Sequence, residues 1–358
     1  MAQKPQKIAV LGAGPGGVAA AASLALRGLD VSLYNRTAER VASLQRAGGV
    51  HLDGALGDGF VPLPLISTDP DEALRGRDAF VVTTPAYGQA FMVESLAPYL
   101  KPGALVLLCS GSAGALCAAK CLRNRSVDIE RDVLLAEPLT VPQSARFLDE
   151  QTVPIKIPAP LRAAAFPAVN TPRLLEALDG LFNLVAAAHV LDTGLNNPNF
   201  IIHPAPMLLN YAEIERRDQA LSIMNEGMTP AVLRCMDALD AEKRALLAAV
   251  CVEPVTVDDL YREIGSDPSV YREPGEPMGL KDRIWRRYVE EDVPYGTVMM
   301  ASLGRLLGVA TPVCDGVNTL LSAAEARDYW AEGRTVERLG IAGMDHARLM
   351  RYLETGKP

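Results

Sequence analysis

Apolar residues come in short unbroken runs through the first half of the chain. Lys7-Ile-Ala-Val-Leu11, Asp30-Val-Ser-Leu-Tyr34, Ala79-Phe-Val-Val-Thr-Thr84, Ala104-Leu-Val-Leu-Leu-Cys109 and Asp132-Val-Leu-Leu-Ala-Glu137 carry little polar alternation. Such runs predict strands buried on both faces. Helical stretches separate them: an Ala-rich segment from Val18 to Leu26 stopped by Gly28, and another reaching Leu100 before the turn Lys101-Pro-Gly103. Strand alternating with helix predicts a parallel sheet covered by helices. Past Glu137 the pattern weakens to β-like pieces at Thr152–Ile157 and Leu184–Val190, broken by prolines and expected as antiparallel additions to the same sheet. From about residue 190 the chain reads almost entirely as helix. Thr229-Pro230 is a cap with Pro at the first helical position, opening a helix to Val250. Thr256 repeats the cap before an acidic first turn, and Tyr295–Gly308 and Pro312–Ala326 are two further amphipathic helices. Gly265–Pro277 reads as a surface loop able to serve as a lid. The expected organisation is an α/β domain over 1–190 and an all-α domain over 191–358.

The first strand feeds directly into Gly12, Gly14 and Gly17, spaced as G-x-G-x-x-G. Gly12 permits a tight turn, Gly14 lets backbone approach a pyrophosphate, and Gly17 lets the following helix lie on the strand. The spacing alone is a weak signal, since glycines also serve packing. Its setting between a strand and a helix makes the first domain a Rossmann-type dinucleotide domain. The second strand ends in Asn35-Arg36-Thr37, where an NAD site usually has an acidic residue for the ribose hydroxyls. A guanidinium pairs with a 2′-phosphate, and Asn and Thr donate hydrogen bonds. NADP is therefore expected over NAD, against the alternative of an exposed Arg in a loop with Thr37 capping the next helix. Thr84 and Pro85 follow the strand at Ala79, at the edge where the nicotinamide half is expected.

The chain has 358 residues, 49% of them hydrophobic and 22% charged, an ordinary composition for two globular domains. The net charge of −8 argues against nucleic acid or anionic membrane as the main partner. No apolar run could span a bilayer, and no signal peptide is visible, which points to the cytoplasm. Six cysteines without a CxxC make neither a disulfide framework nor a zinc site. Cys109, Cys117 and Cys121 read as small buried hydrophobes rather than metal ligands, and no metal is expected.

Four histidines narrow the search for an acid–base group. His203 lies in Leu195-Asn-Asn-Pro-Asn-Phe-Ile-Ile-His-Pro-Ala-Pro206, where Asn197 and Asn199 precede it in apolar surroundings. If that stretch is helical, Asn199 and His203 face the same way at i, i+4. A His flanked by isoleucines is as readily structural, but buried amides need partners or a ligand. His189 falls in the β-like run, and His51 and His346 in loop or helix-surface contexts. Lys243 and Lys281 stand among charged neighbours and are expected on solvated faces. Met207, Met224, Met228 and Trp285 read as helix packing ahead of a side-chain pocket.

Asn197-Pro-Asn199, His203-Pro204, Glu226-Gly-Met-Thr-Pro230, Glu291-Asp-Val-Pro294, Ser302-Leu-Gly-Arg305, Thr311-Pro312 and Gly333–Gly340 occur in an order that resembles the opine dehydrogenases of octopine and nopaline type. The resemblance covers nearly the whole chain. It implies reductive condensation of an amino acid with a 2-keto acid, with hydride from a nicotinamide cofactor reducing the imine. It also implies a catalytic pair of His203 and Asp292, whose bland reading is a helix cap before Val-Pro. A group titrating near neutrality suits protonation in one direction and deprotonation in the other, with a carboxylate fixing its tautomer. Asn197, Asn199, Thr140, Gln143 and Arg146 are the candidates for gripping substrate carboxylates. The chain departs from the family at Glu137-Pro138, where relatives tend to have Glu-Thr. Relatives are often dimers through the helical domain, so a homodimer is expected. Two other readings stand: an NADP-dependent 2-keto acid or 3-hydroxy acid reductase of similar architecture, which usually delivers its proton from a Lys, and a non-enzymatic dinucleotide sensor.

Overall fold

A computed structural model of the chain describes residues 4–54, 57–142, 149, 152–155, 159–217, 221–273 and 285–357. These fall into two units, one of Met1–Thr193 with Arg351–Pro358 and the other of Gly194–Met350. The separation falls three residues beyond the expected 190/191 boundary. The last eight residues belong with the first unit although the sequence reading placed them in the second. Within the first unit Arg123 donates to Tyr352 Oη and to the carbonyl of Gly356, which anchors that terminal segment.

The strands described are β1 (Lys7–Leu11), β2 (Asp30–Tyr34), β3 (Gly49–Gly54), β4 (Gly59–Pro62), β5 (Leu65–Ser67), β6 (Ala79–Val82), β7 (Ala104–Leu108), β8 (Val133–Pro138), β9 (Thr152–Ile155), β10 (Leu161–Phe166) and β11 (Leu184–Ala186). Eight form one sheet in the order β11-β10-β8-β7-β6-β1-β2-β5, and β4-β3-β9 form a second. The large sheet is parallel from β5 to β8; β10 runs antiparallel to β8. The predicted doubly covered sheet is present, and Ile8, Val10, Leu33, Val81, Leu105 and Leu107 are buried in its core.

Two β expectations are corrected. The piece at 152–155 does not extend the large sheet; it pairs parallel with β3, Leu52 opposite Val153. The run from Leu184 ends at Ala186, pairs parallel with β10, and gives way to the helix Val190–Leu195. His189 therefore lies in a turn, where its Nδ1 accepts from the amide of Asp192. Short edge pieces carry too few side chains to declare their partner, so packing decides it.

In the second unit Thr229 Oγ1 caps the helix Pro230–Ala249 at the Val232 amide, and Thr256 Oγ1 caps Val257–Glu263 at the Asp259 amide, as expected from the cap residues. The expected loop over 265–277 contains a helical turn at Ser269–Arg272, tied down where Arg272 donates to Asp258 and Asp237. Its residues 274–277 lie outside the described ones. Among the described residues no helix is long and apolar enough to cross a membrane.

Candidate active site

In the first unit β1 lies between β2 and β6, with Leu11 opposite Tyr34 on one side and Val82 on the other. The chain order reverses here, and crevices at such points of parallel sheets take ligands. Gly12 leaves β1 at φ +119°, which side chains resist. A Cβ on Gly17 would stand 1.9 Å from the Gly12 carbonyl oxygen, so the protein's own packing accounts for that glycine. Gly14 differs, because a Cβ there would meet no atom within 4 Å. It precedes the helix Pro15–Leu26 in extended conformation. Open space against backbone at a helix N-terminus fits a pyrophosphate. On the β6 side, Thr83 Oγ1 donates to the carbonyls of Leu11 and Gly12. The next hydroxyl, Thr84 Oγ1, is buried with no hydrogen-bond partner among the described residues. A buried hydroxyl without a protein partner suits a polar ligand atom. Pro85 then leads into the helix Ala86–Leu96. Nothing about these residues resists a dinucleotide.

The three residues after β2 divide their work. Asn35 Oδ1 accepts from the amide of Ala13 at 3.0 Å and its Nδ2 donates to the carbonyl of Thr37 at 3.0 Å. Its amide thus clamps the glycine loop and has its principal donor spent. Thr37 is exposed and makes no side-chain cap to the turn that follows. Arg36 is exposed and lies with its guanidinium carbon 4.9 Å above the ring of Phe91.

Behind this edge sits Glu137, fully buried at the end of β8. Its carboxylate accepts from the amides of Ala113 and Ala115 at 3.2 and 2.8 Å and from Thr193 Oγ1 at 2.7 Å. Gly111, Ser112 and Ala113 all have positive φ in the turn before the helix Gly114–Asn124. Glu137 satisfies the amides that this turn leaves over, an anchoring that the sequence did not signal. Thr140, half-buried, follows β8 in the same unit. Gln143 and Arg146 lie outside the described residues.

The second unit brings His203 and Asp292 together. The amide of His203 donates to the carbonyl of Asn199, so the expected helical turn between them is formed. His203 then begins the next helix, Pro204–Arg216. Asp292 precedes the wide turn Val293–Thr297 but makes no side-chain cap to it. Its Oδ2 instead accepts from Nδ1 of His203 at 2.7 Å, with both residues buried. Burial raises the Asp292 carboxyl above its ordinary pKa, and the His203 imidazole pulls it back down. With the proton on Nδ1, Nε2 carries the exchangeable lone pair, and it has no hydrogen bond to any described residue. The ring of Tyr288 lies parallel to the imidazole, centroids 3.7 Å apart and planes at 15°. Arg287 Nε donates to Glu291 at 2.7 Å alongside. Asn197 is buried, and its Oδ1 accepts from the Asn199 amide at 3.1 Å, ordering the turn before His203.

Sequence reading missed Tyr288, although it stands four residues before Asp292, the spacing of a shared helix face. Its expectation for Lys243 is corrected. That side chain is wholly buried, with Nζ 2.7 Å from Asp240 Oδ1. Neighbouring Glu242 is also buried and accepts from the amides of Val313 and Cys314. The charged cluster that resembled a solvated face is an internal one: Lys243 pairs with Asp240 one turn away on its own helix, and Glu242 meets amides distant in sequence. Lys281 lies outside the described residues. Met207 and Met228 are buried among the helices and Met224 is half-buried.

Comparison with known proteins gives these features a context. Residues 8–120 match the ketopantoate reductase PanE/ApbA family, and residues 186–325 match the α-helical domain of the NAD/NADP octopine/nopaline dehydrogenases. An opine dehydrogenase of Arthrobacter sp. (strain 1C) is 31% identical over 97% of this chain and 98% of its own. The octopine dehydrogenase of Pecten maximus is 21% identical over 75% of both chains. Octopine dehydrogenase in complex with NADH and agmatine superposes with a TM-score of 0.69 at 19% identity, covering 98% of each chain. Yersinopine dehydrogenase bound to NADP+ does so with a TM-score of 0.68 at 16% identity over 97% of each.

The chain is thus an NAD(P)-dependent oxidoreductase with a Rossmann-type N-terminal domain and a helical C-terminal domain. It belongs to the opine dehydrogenase family, whose members act on a CH–NH bond.

Proposed function

We propose that the protein condenses an amino acid with a 2-keto acid and reduces the resulting imine to a secondary amine dicarboxylate, using NADPH in preference to NADH. The relatives support the substrate classes: solved octopine dehydrogenases carry L-arginine or pyruvate beside NADH. One observation carries the chemistry: the buried contact of His203 Nδ1 with Asp292, in the family's helical domain.

Condensation releases water. The amine adds to the keto carbon, and the hydroxyl formed must leave with a proton. Imidazolium at His203 supplies it from Nε2 and is left neutral; in the reverse direction neutral Nε2 takes a proton from attacking water. Asp292 holds the ring by Nδ1 and stabilises the cationic form. Tyr288 stacked on the ring keeps its plane fixed. A bound NADPH supplies hydride at the imine carbon. Gly12, Gly14, Gly17, Thr84 and Pro85 are the residues to hold the cofactor, with Arg36 on a 2′-phosphate. Asn197 and Asn199 are the proposed grip on a substrate carboxylate, and Thr140 is a further candidate.

The preference for NADPH rests on the absence of an acidic residue after β2 and on the unpaired Arg36 cation there. All six cysteines are thiols, which fits a reducing compartment, and we place the enzyme in the cytoplasm. Leu209 and Leu320, both about half exposed on helices of the second unit that pack together, offer an apolar surface for a second copy and support a homodimer.

The rival is a keto acid reductase, favoured by the PanE/ApbA match over residues 8–120. Such an enzyme needs no amine. Lys243, whose ammonium group is buried against Asp240, is a poor proton donor for that chemistry. The deciding experiment is NADPH oxidation with a panel of 2-keto acids, each with and without amino acids. Turnover that requires the amine, with a secondary amine product by mass spectrometry, supports opine formation; equal turnover without amine overturns it.

A further inference from the structure

We infer that Phe91 is a positioning residue that holds the Arg36 guanidinium ready for the 2′-phosphate of NADPH, and so contributes to discrimination against NADH; this rests on the NADPH preference proposed above. Arg36 makes no hydrogen bond or ion pair with any described residue. Among the described residues its guanidinium lies over the face of Phe91, 4.9 Å from the guanidinium carbon to the ring centroid. Three acidic groups of the stretch after β5 have other partners. Asp69 accepts from the Asp71 amide, Asp71 from Arg75 and Tyr99, and Glu72 from Ser67 Oγ. The cation at the end of β2 thus has no ion-pair partner among the described residues, yet it is not left to wander. A free Arg side chain loses much rotamer freedom when it captures an anion, and an aromatic platform removes part of that loss beforehand.

Phe91 is itself well placed to be that platform. It sits on the helix Ala86–Leu96, with 40% of its surface exposed. One turn later Ser95 Oγ donates to the Phe91 carbonyl. Asn35, between Tyr34 and Arg36, is fixed by Ala13 and Thr37. The strand end that carries Arg36 is thus braced against the glycine loop through Asn35.

The test is calorimetric titration of the full-length protein and its variants with NADPH, NADH, 2′,5′-ADP and 5′-ADP. Phe91→Leu is expected to weaken NADPH and 2′,5′-ADP about two- to fivefold, with NADH and 5′-ADP unchanged. Phe91→Tyr, which keeps the ring face, is expected to bind as the wild type does. Arg36→Ala should lose at least about tenfold for the 2′-phosphate ligands. The double variant should bind them no more weakly than Arg36→Ala alone, because Phe91 acts through Arg36. Equal weakening of NADH by Phe91→Leu, additive losses in the double variant, or no loss at all in Phe91→Leu would each overturn the inference. If Arg36→Ala spares NADPH, the cofactor reading falls and this inference with it. An Arg36→Ala loss beside a silent Phe91→Leu sinks the role of Phe91 alone.

Discussion

The Asp292 carboxylate meets Nδ1 of His203 at 2.7 Å across 89 residues of sequence, inside one helical unit. Neither side chain reaches much solvent. The contact has a direction: the carboxylate takes the Nδ1 end of the ring, so proton exchange is left to Nε2. Replacing the ring tests that assignment. His203→Ala is expected to lower kcat about 100- to 10,000-fold, the usual range for a general acid–base group, with NADPH affinity retained. Steady-state kinetics beside a fluorescence titration of NADPH checks it. A variant with full turnover would remove His203 from the chemistry.

Asp292 links the pair to stability. Its carboxyl is raised above the unfolded value because burial disfavours the charged form, so the folded state binds the proton more tightly. Below the unfolded pKa both states are protonated and no penalty exists. As pH rises through the unfolded pKa and up to the raised folded one, the ionised side chain increasingly favours unfolding, and above the folded pKa the cost is complete. Asp292→Asn carries no such charge. Its stability relative to wild type should climb with pH across that window, while its turnover falls. Urea melts from pH 4 to pH 8 measure the trend, and a difference flat in pH would contradict it.

Gly14 and Gly17 should fail differently when given a methyl group. At Gly17 the added carbon collides with the Gly12 carbonyl, so Gly17→Ala should destabilise the first unit by about 1–3 kcal/mol or more. At Gly14 there is room, and Gly14→Ala should keep its unfolding free energy to within about 1 kcal/mol. Its NADPH affinity should nevertheless drop, because the methyl occupies the approach of the pyrophosphate. Differential scanning fluorimetry with and without NADPH separates the two. Normal NADPH binding by Gly14→Ala would show that the phosphates lie elsewhere.

Glu137 is an anchor, and its removal should be felt in folding. Glu137→Ala leaves the amides of Ala113 and Ala115 without their acceptor in a buried site, while the Thr193 hydroxyl falls back on the Val190 carbonyl. The expected cost is about 3–5 kcal/mol. Glu137→Gln keeps one acceptor oxygen but turns an NH₂ toward a donor, and should cost less. Chemical denaturation ranks the three proteins, and an Ala variant as stable as wild type would refute the anchoring role.

Local pattern was enough for the parallel sheet, the glycine loop, the Thr caps at 229 and 256, and the change to helix near residue 190. Each depends on periodicity or turn chemistry confined to a few neighbours. The candidate site was legible in part: Gly12 to Gly17, Asn35 to Thr37 and the Asn199–His203 turn are each contiguous, whereas Asp292 was named through the family resemblance. Packing settled what the chain order leaves open. It paired 152–155 with β3, drew the last eight residues to the first unit, laid Tyr288 on the imidazole and Phe91 under Arg36, and buried Lys243 and Glu242 amid charges that read as a wet surface. A side chain's local sequence carries its chemistry, but whether its charge meets water, an aromatic face or a backbone amide depends on residues distant along the chain.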